Sequence, residues 1–87
     1  MMNETLMVFP CDFPIKIIGN ATPNFLQDII TIVHHHFPDT PDSAITTQLS
    51  GQGKYQSITA VVVALDQMTL DALYKDLTQH PDIRMVL

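Results

Sequence analysis

The chain has 87 residues, four Lys/Arg against nine Asp/Glu, a formal charge of −5, and a single cysteine. That length holds one domain, spanning residues 1–87, and buries roughly 60–65% of its unfolded surface. A 46% hydrophobic and 15% charged composition excludes disorder as the main state, the lone Cys11 excludes a disulfide framework or multi-cysteine zinc site, and the acidic balance argues against nucleic acid as a partner.

Residues 1–12 read as an extended lead-in, because Phe9-Pro10 and Phe13-Pro14 bias the residue before each proline away from helix. Phe13, Ile15 and Ile17 then alternate as a strand of about seven residues closed by Gly19-Asn20. Pro14 has no N–H to give a ladder, which places it at the start of that strand. Thr22-Pro23 reads as a helix start, with Thr22 as N-cap and Pro23 in the first position. Phe25, Leu26, Ile29, Ile30, Val33 and Phe37 form one apolar stripe, so the helix runs from about Pro23 to Phe37.

Ala44 to Ser50 reads as a second strand with Ile45, Thr47 and Leu49 on one face. Gly51 to Lys54 turns the chain into a third strand, Tyr55 to Ala64, across a loop of about five residues. This strand is apolar on both sides: Ile58, Ala60, Val62 and Ala64 on one, Val61, Val63 and Leu65 with Thr59 on the other. Asp66 is a good N-cap for a second helix from Gln67 to Gln79, lined by Leu70, Leu73, Tyr74 and Leu77. After Pro81, Ile83, Met85 and Leu87 alternate with Arg84 and Val86 as a last strand. The order β-α-β-β-α-β predicts an α+β, ferredoxin-like domain: a four-stranded antiparallel sheet with both helices on one face. The first and third strands would be central.

No apolar run approaches the ~20 residues of a membrane span, and the first residues lack the basic and apolar regions of a signal peptide. A cytoplasmic protein with no membrane partner is the expectation. No Walker loop, nucleophile elbow or HExxH motif is present.

The residues Phe9-Pro10, Phe13-Pro14, Lys16, Gly19, the segment Gly53-Lys54-Tyr55-Gln56-Ser57 and the tail Arg84-Met85-Val86-Leu87 carry a resemblance. Together they make the chain similar to the YbeD-like proteins, small bacterial proteins related to ACT regulatory domains. Gly51 departs from the family pattern, where a second serine would stand beside Ser50. The resemblance implies a ferredoxin-like fold, no enzymatic activity, no cofactor, and a regulatory or small-ligand role. It implies a ligand site at the loop after the first strand, here Gly19, Asn20 and Thr22. Asn20 and Pro23 resemble the ACT loop, whereas Asn24 stands where such domains usually carry glycine.

Read from the residues alone, Ser50, Gly51, Gly53, Lys54, Tyr55 and Ser57 are the densest polar set, either a plain hairpin turn or a loop whose N–H groups and lysine hold a small ligand. Lys16 and Arg84, on neighbouring strands, would share the helix-free face with Thr59, Val61 and Val63 as a dimer or partner surface. His34-His35-His36 point about 100° apart on a helix, so they read as a helix C-terminus whose members are singly dispensable, not as a metal site. Cys11 has no second cysteine nearby and reads as structural or incidental. Asp71 and Lys75, four apart, should form a weak surface pair. The loop after the first strand lacks the arginine an acylphosphatase needs. The third strand lacks the exposed aromatics of an RNA-binding sheet. The expectation is a homodimeric, non-catalytic regulatory module for a small metabolite. The alternative is an adaptor that docks a partner enzyme through the open sheet face.

Overall fold

The computed structural model describes residues 10–87. Phe9 and the rest of the expected lead-in up to residue 9 lie outside the described residues. The elements follow as β1 (Cys11–Asn20), α1 (Phe25–His36), a 3-10 turn (Asp42–Ala44), β2 (Ile45–Leu49), β3 (Tyr55–Ala64), α2 (Gln67–Thr78) and β4 (Ile83–Val86). The sheet order is β2-β3-β1-β4 with all neighbours antiparallel, so β1 and β3 are central as expected.

Strand periodicity divides the residues between two faces. Ile15, Ile17, Ile58, Ala60, Val62 and Ala64 are fully buried under the helices. They meet Phe25, Ile29 and Val33 of α1 and Leu70, Leu73 and Leu77 of α2. Each helix contributes one stripe at three- and four-residue spacing to that core. The other face of the sheet, carrying Lys16, Thr59, Val61 and Val63, has no helix over it.

Several local expectations are corrected. β1 begins at Cys11, so Cys11 and Asp12 belong to the strand rather than to a lead-in, opposite Ala64 and Val63. Pro14 is therefore the strand's fourth residue. It is tolerated because even-numbered β1 residues direct their N–H toward β4, and that ladder stops where Lys16 and Leu87 exchange hydrogen bonds of 3.1 and 2.8 Å. α1 starts at Phe25, with Asn24 at the cap position and no side-chain cap bond. Thr22 is not the cap, because its hydroxyl donates to Asp82 instead. β2 is shorter than predicted, since Asp42–Ala44 form the 3-10 turn. The strict alternation read for β4 is interrupted by a bulge: Ile18 faces Met85 while Gly19 faces Ile83. Arg84 is the extra residue, and Ile83 and Val86, not Met85 and Leu87, pack on the core. Asp66 does cap α2, accepting from the Thr69 N–H at 2.7 Å and the Thr69 hydroxyl at 2.8 Å. Those two donors hold its carboxyl below the ordinary carboxylate range.

Candidate functional site on the open sheet face

At one end of the sheet, three loops meet. The Ala21 N–H donates to the Lys54 carbonyl at 3.0 Å, joining the loop after β1 to the β2–β3 hairpin. The Asn20 N–H donates to the Asp82 carbonyl at 2.8 Å, tying in the α2–β4 loop. The Asp82 carboxylate accepts from Thr22 at 3.3 Å and from Asn20 at 3.4 Å. His80 completes the network. Its Nε2–H donates to Asp28 at 3.0 Å, and its Nδ1 accepts the Asp82 N–H at 3.1 Å. Using one nitrogen as donor and the other as acceptor selects the Nε2–H tautomer.

This network answers the expectation for the loop after β1. A Cβ on Gly19 would stand 2.3 Å from the Phe25 ring and 2.5 Å from the Asp82 carbonyl. Gly19 is thus packed closely by protein on the side where a Cβ would stand. Asn20 and Thr22 spend their side chains on Asp82. Asp82, His80 and Asp28 were not visible as site residues in the sequence. His80-Pro81-Asp82 reads there only as a helix stop.

The hairpin expectation divides. Gly53 has φ 71° and its N–H donates to the Ser50 carbonyl at 2.9 Å, which is turn chemistry. Ser50 closes the hairpin, its hydroxyl accepting from the Tyr55 N–H at 3.3 Å. Tyr55 itself turns to the open face. There the β1–β3 register puts it one same-face pair along from Ser57 and Ile18, with Lys16 next on the same face. Together with Gln48 and Ser50 these residues line a shallow cup of about 240 Å³. The Arg84 guanidinium lies 6.0 Å from the Tyr55 ring centroid, within reach of a cation–π contact that orients it over the rim. Among the described residues the ion-paired acids are Asp76 and Asp28, both with histidines, so Lys16, Lys54 and Arg84 carry no carboxylate partner. Of the four cations in an acidic chain, three gather at this end, Lys16 in the lining of the cup and Arg84 beside its Tyr55.

The opposite end of the same face is apolar. Val61, Val63 and Leu65 are 37%, 55% and 69% exposed. They form one wall of a groove of about 400 Å³ whose other wall is the Phe37–Pro41 segment. The expected interface set of Lys16, Thr59, Val61, Val63 and Arg84 does share the open face, but it spans two chemically distinct halves.

The histidine triplet is not uniform, contrary to expectation. His34 Nε2–H donates to the Thr40 carbonyl at 2.8 Å, and His36 Nε2–H donates to Asp76 at 2.6 Å, bridging α1 to α2. Only His35 is exposed, edge-on to His36 at 5.0 Å between centroids. No three His, Cys, Asp or Glu side chains stand close enough to hold a metal among the described residues. Cys11 is half-buried against the core. Asp71 accepts from Gln67 at 2.9 Å and makes no ion pair with Lys75. Among the described residues no helix is long and apolar enough to cross a membrane.

The topology defines an ACT/ferredoxin-like domain. It superimposes on the ACT domain of the GTP pyrophosphokinase of Chlorobium tepidum with a TM-score of 0.64, at 20% identity, over 88% of this chain and 97% of that one. It is also similar to the solution structure of protein HP0495 from H. pylori, with a TM-score of 0.72, at 12% identity, over 94% of this chain and 86% of that one. At those identities the likeness concerns the fold. Residues 4–87 match the family described as "Protein of unknown function (DUF493)", and the chain belongs to it. The UPF0250 protein NE1487 of Nitrosomonas europaea is 39% identical over 87 residues, covering 100% of both chains. A UPF0250 protein of Paraburkholderia phytofirmans is 41% identical over 86 residues, covering 99% of this chain and 97% of the relative.

Proposed function

We propose that this protein is a non-catalytic regulatory module that binds a small anionic metabolite in the cup on its open sheet face. The observation that carries the reading is a pair of cations without carboxylate partners among the described residues, Lys16 and Arg84, beside Tyr55 and Ser57. An ammonium and hydroxyls in the lining of one shallow cup, with a guanidinium beside its tyrosine, suit a carboxylate or phosphate of metabolite size. The loop after β1 supports the cup from behind instead of binding the ligand. The ACT-like fold agrees with a regulatory role by analogy alone.

A thermal-shift screen of small carboxylates and phosphates tests this. A ligand at about a hundred times its Kd adds ~2.7 kcal/mol, which in a domain of this size raises Tm by roughly 10–20 °C. Lys16→Gln and Arg84→Gln should each abolish the shift while leaving the unliganded Tm within about 2 °C. Silence across the screen, or a hit that both variants retain, contradicts the reading.

A second reading is favoured by the exposed Val61, Val63 and Leu65. Here the face docks protein, either a second copy of this chain or a partner enzyme. A patch of this kind with a polar border is the usual mark of an interaction surface.

A further inference from the structure

β3 is longer than the strand that covers its edge. The β2–β3 ladder ends at Ile45 opposite Ala60, while β3 continues to Ala64. The direction of the backbone groups on that extension follows from the hairpin. The Ser50 N–H donates to the Tyr55 carbonyl, so odd-numbered β3 residues turn their N–H and C=O toward the β2 side. Even-numbered ones turn toward β1. Val63 therefore aims both backbone groups at the uncovered edge, and neither has a backbone partner outside the sheet among the described residues. The groove of about 400 Å³ runs along this edge, between Val61, Val63 and Leu65 and the segment of Phe37, Pro38 and Pro41.

The electrostatics of the groove are one-sided. Asp39 lies in its lining. Asp12 is exposed on the open face directly across from Val63. His36, also in the lining, is already hydrogen-bonded to Asp76, and no lysine or arginine lines the groove. A strand edge that, among the described residues, neither β2 nor the Asp42–Ala44 turn pairs at Val63, apolar side chains on alternate positions and an acidic border together specify an occupant.

We infer that this edge binds an extended segment of a partner protein by strand addition, a segment with apolar side chains at alternate positions and basic residues at its ends. Five residues of such a segment span about 16 Å, the length of Val61 to Leu65. Main-chain hydrogen bonds to Val63 hold the segment in register, the valines and Leu65 take its apolar side chains, and Asp12 and Asp39 take its basic ends. This goes beyond the anion reading and uses none of its residues, so either can fail alone.

The test is fluorescence anisotropy on the full chain with a fluorescein-labelled heptapeptide, three valines alternating with threonines between terminal lysines. Saturable binding is expected. Glutamates in place of the lysines should weaken it about ten-fold or more. N-methylation of the amides that would face β3 should weaken it about ten-fold or more as well, since it removes the ladder. Val63→Lys and, independently, Leu65→Lys place a cation on the exposed side of the groove and should each reduce affinity to the same extent. Hydrogen exchange at the Val63 amide should slow when the peptide binds. No saturable binding up to about 1 mM peptide, or equal binding of the N-methylated peptide, overturns the inference. So does self-association that Val63→Lys disperses in a protein that ignores the peptide, which would assign the edge to a second copy of the chain.

Discussion

The packing around Gly19 allows a prediction with a worked size. Gly19→Ala adds one methyl where the Phe25 ring would lie at 2.3 and 2.7 Å and the Asp82 carbonyl at 2.5 Å. Ordinary contact begins near 3.4 Å, so about 1 Å must be found on two sides. Phe25 is fully buried and cannot swing away without opening the core. The Asp82 carbonyl is held by the Asn20 N–H at 2.8 Å, and moving it loosens the loop network as well. Overpacking of this kind costs about 1–3 kcal/mol, and the disturbed hydrogen bond adds about 1 kcal/mol. A total of about 2–4 kcal/mol lowers Tm by roughly 10–25 °C in a domain of this size. Urea denaturation should show a lower midpoint at unchanged slope, the sign of lost stability rather than a changed unfolded state. Two internal comparisons sharpen the test. Gly51 has nothing within 4 Å of an added Cβ, so Gly51→Ala should be neutral or slightly stabilising. Gly53, at φ +71°, also has open space around it, so Gly53→Ala should cost only the backbone strain of about 1–2 kcal/mol. A Gly19→Ala protein within about 2 °C of the parent would refute the close packing of Phe25 and Asp82 on this residue.

Other outcomes follow from single contacts. His36→Ala removes the bridge to Asp76 and should cost about 1–2 kcal/mol, limited because Asp76 is half exposed; His35→Ala should fall within about 0.5 kcal/mol, both by urea denaturation. The Asp66 carboxyl is held low by its bonds to Thr69, so its cap is fully present above the unfolded carboxylate pKa and lost as pH falls through the lower folded value. The Tm difference between parent and Asp66→Ala should therefore shrink toward zero as the buffer is taken from neutral pH into the acid range. Burial raises the Tyr74 phenol above its usual value. Its neutral form thus supports the fold below the unfolded pKa near 10 and that support is lost as pH rises through the folded one. Tyr74→Phe should flatten the alkaline fall in Tm, and an unchanged fall would show that Tyr74 is not its source.

The parts of the fold that were legible in the sequence are those set by local alternation and local caps. β3 was readable to its end residues because apolar side chains occupy both its faces, the mark of a central strand. Asp66 was readable because its partner Thr69 is three residues away. What failed depended on distant partners. Thr22-Pro23 carries a helix-start signal, but the Thr22 hydroxyl is claimed by Asp82, 60 positions on. His36 looks like a polar helix end until α2 brings Asp76 to it, 40 positions on. The β4 bulge leaves no trace in a four-residue strand. The cup was half legible. Lys16, Ser50, Tyr55 and Arg84 stood out individually, yet in two separate sets. Pairing of β1 with β3 and β4, and the hairpin bond from Tyr55 to Ser50, make them neighbours on one face, while strand alternation sends Gly19 to the other.

The central claim, an anion cup on the open face, is tested most directly by an amide NMR titration with a small dicarboxylate such as succinate. The account predicts saturating shifts at Lys16, Ile18, Tyr55 and Ser57 that vanish in Lys16→Glu. Shifts confined to residues 19–23, or none up to about 10 mM ligand, would contradict it.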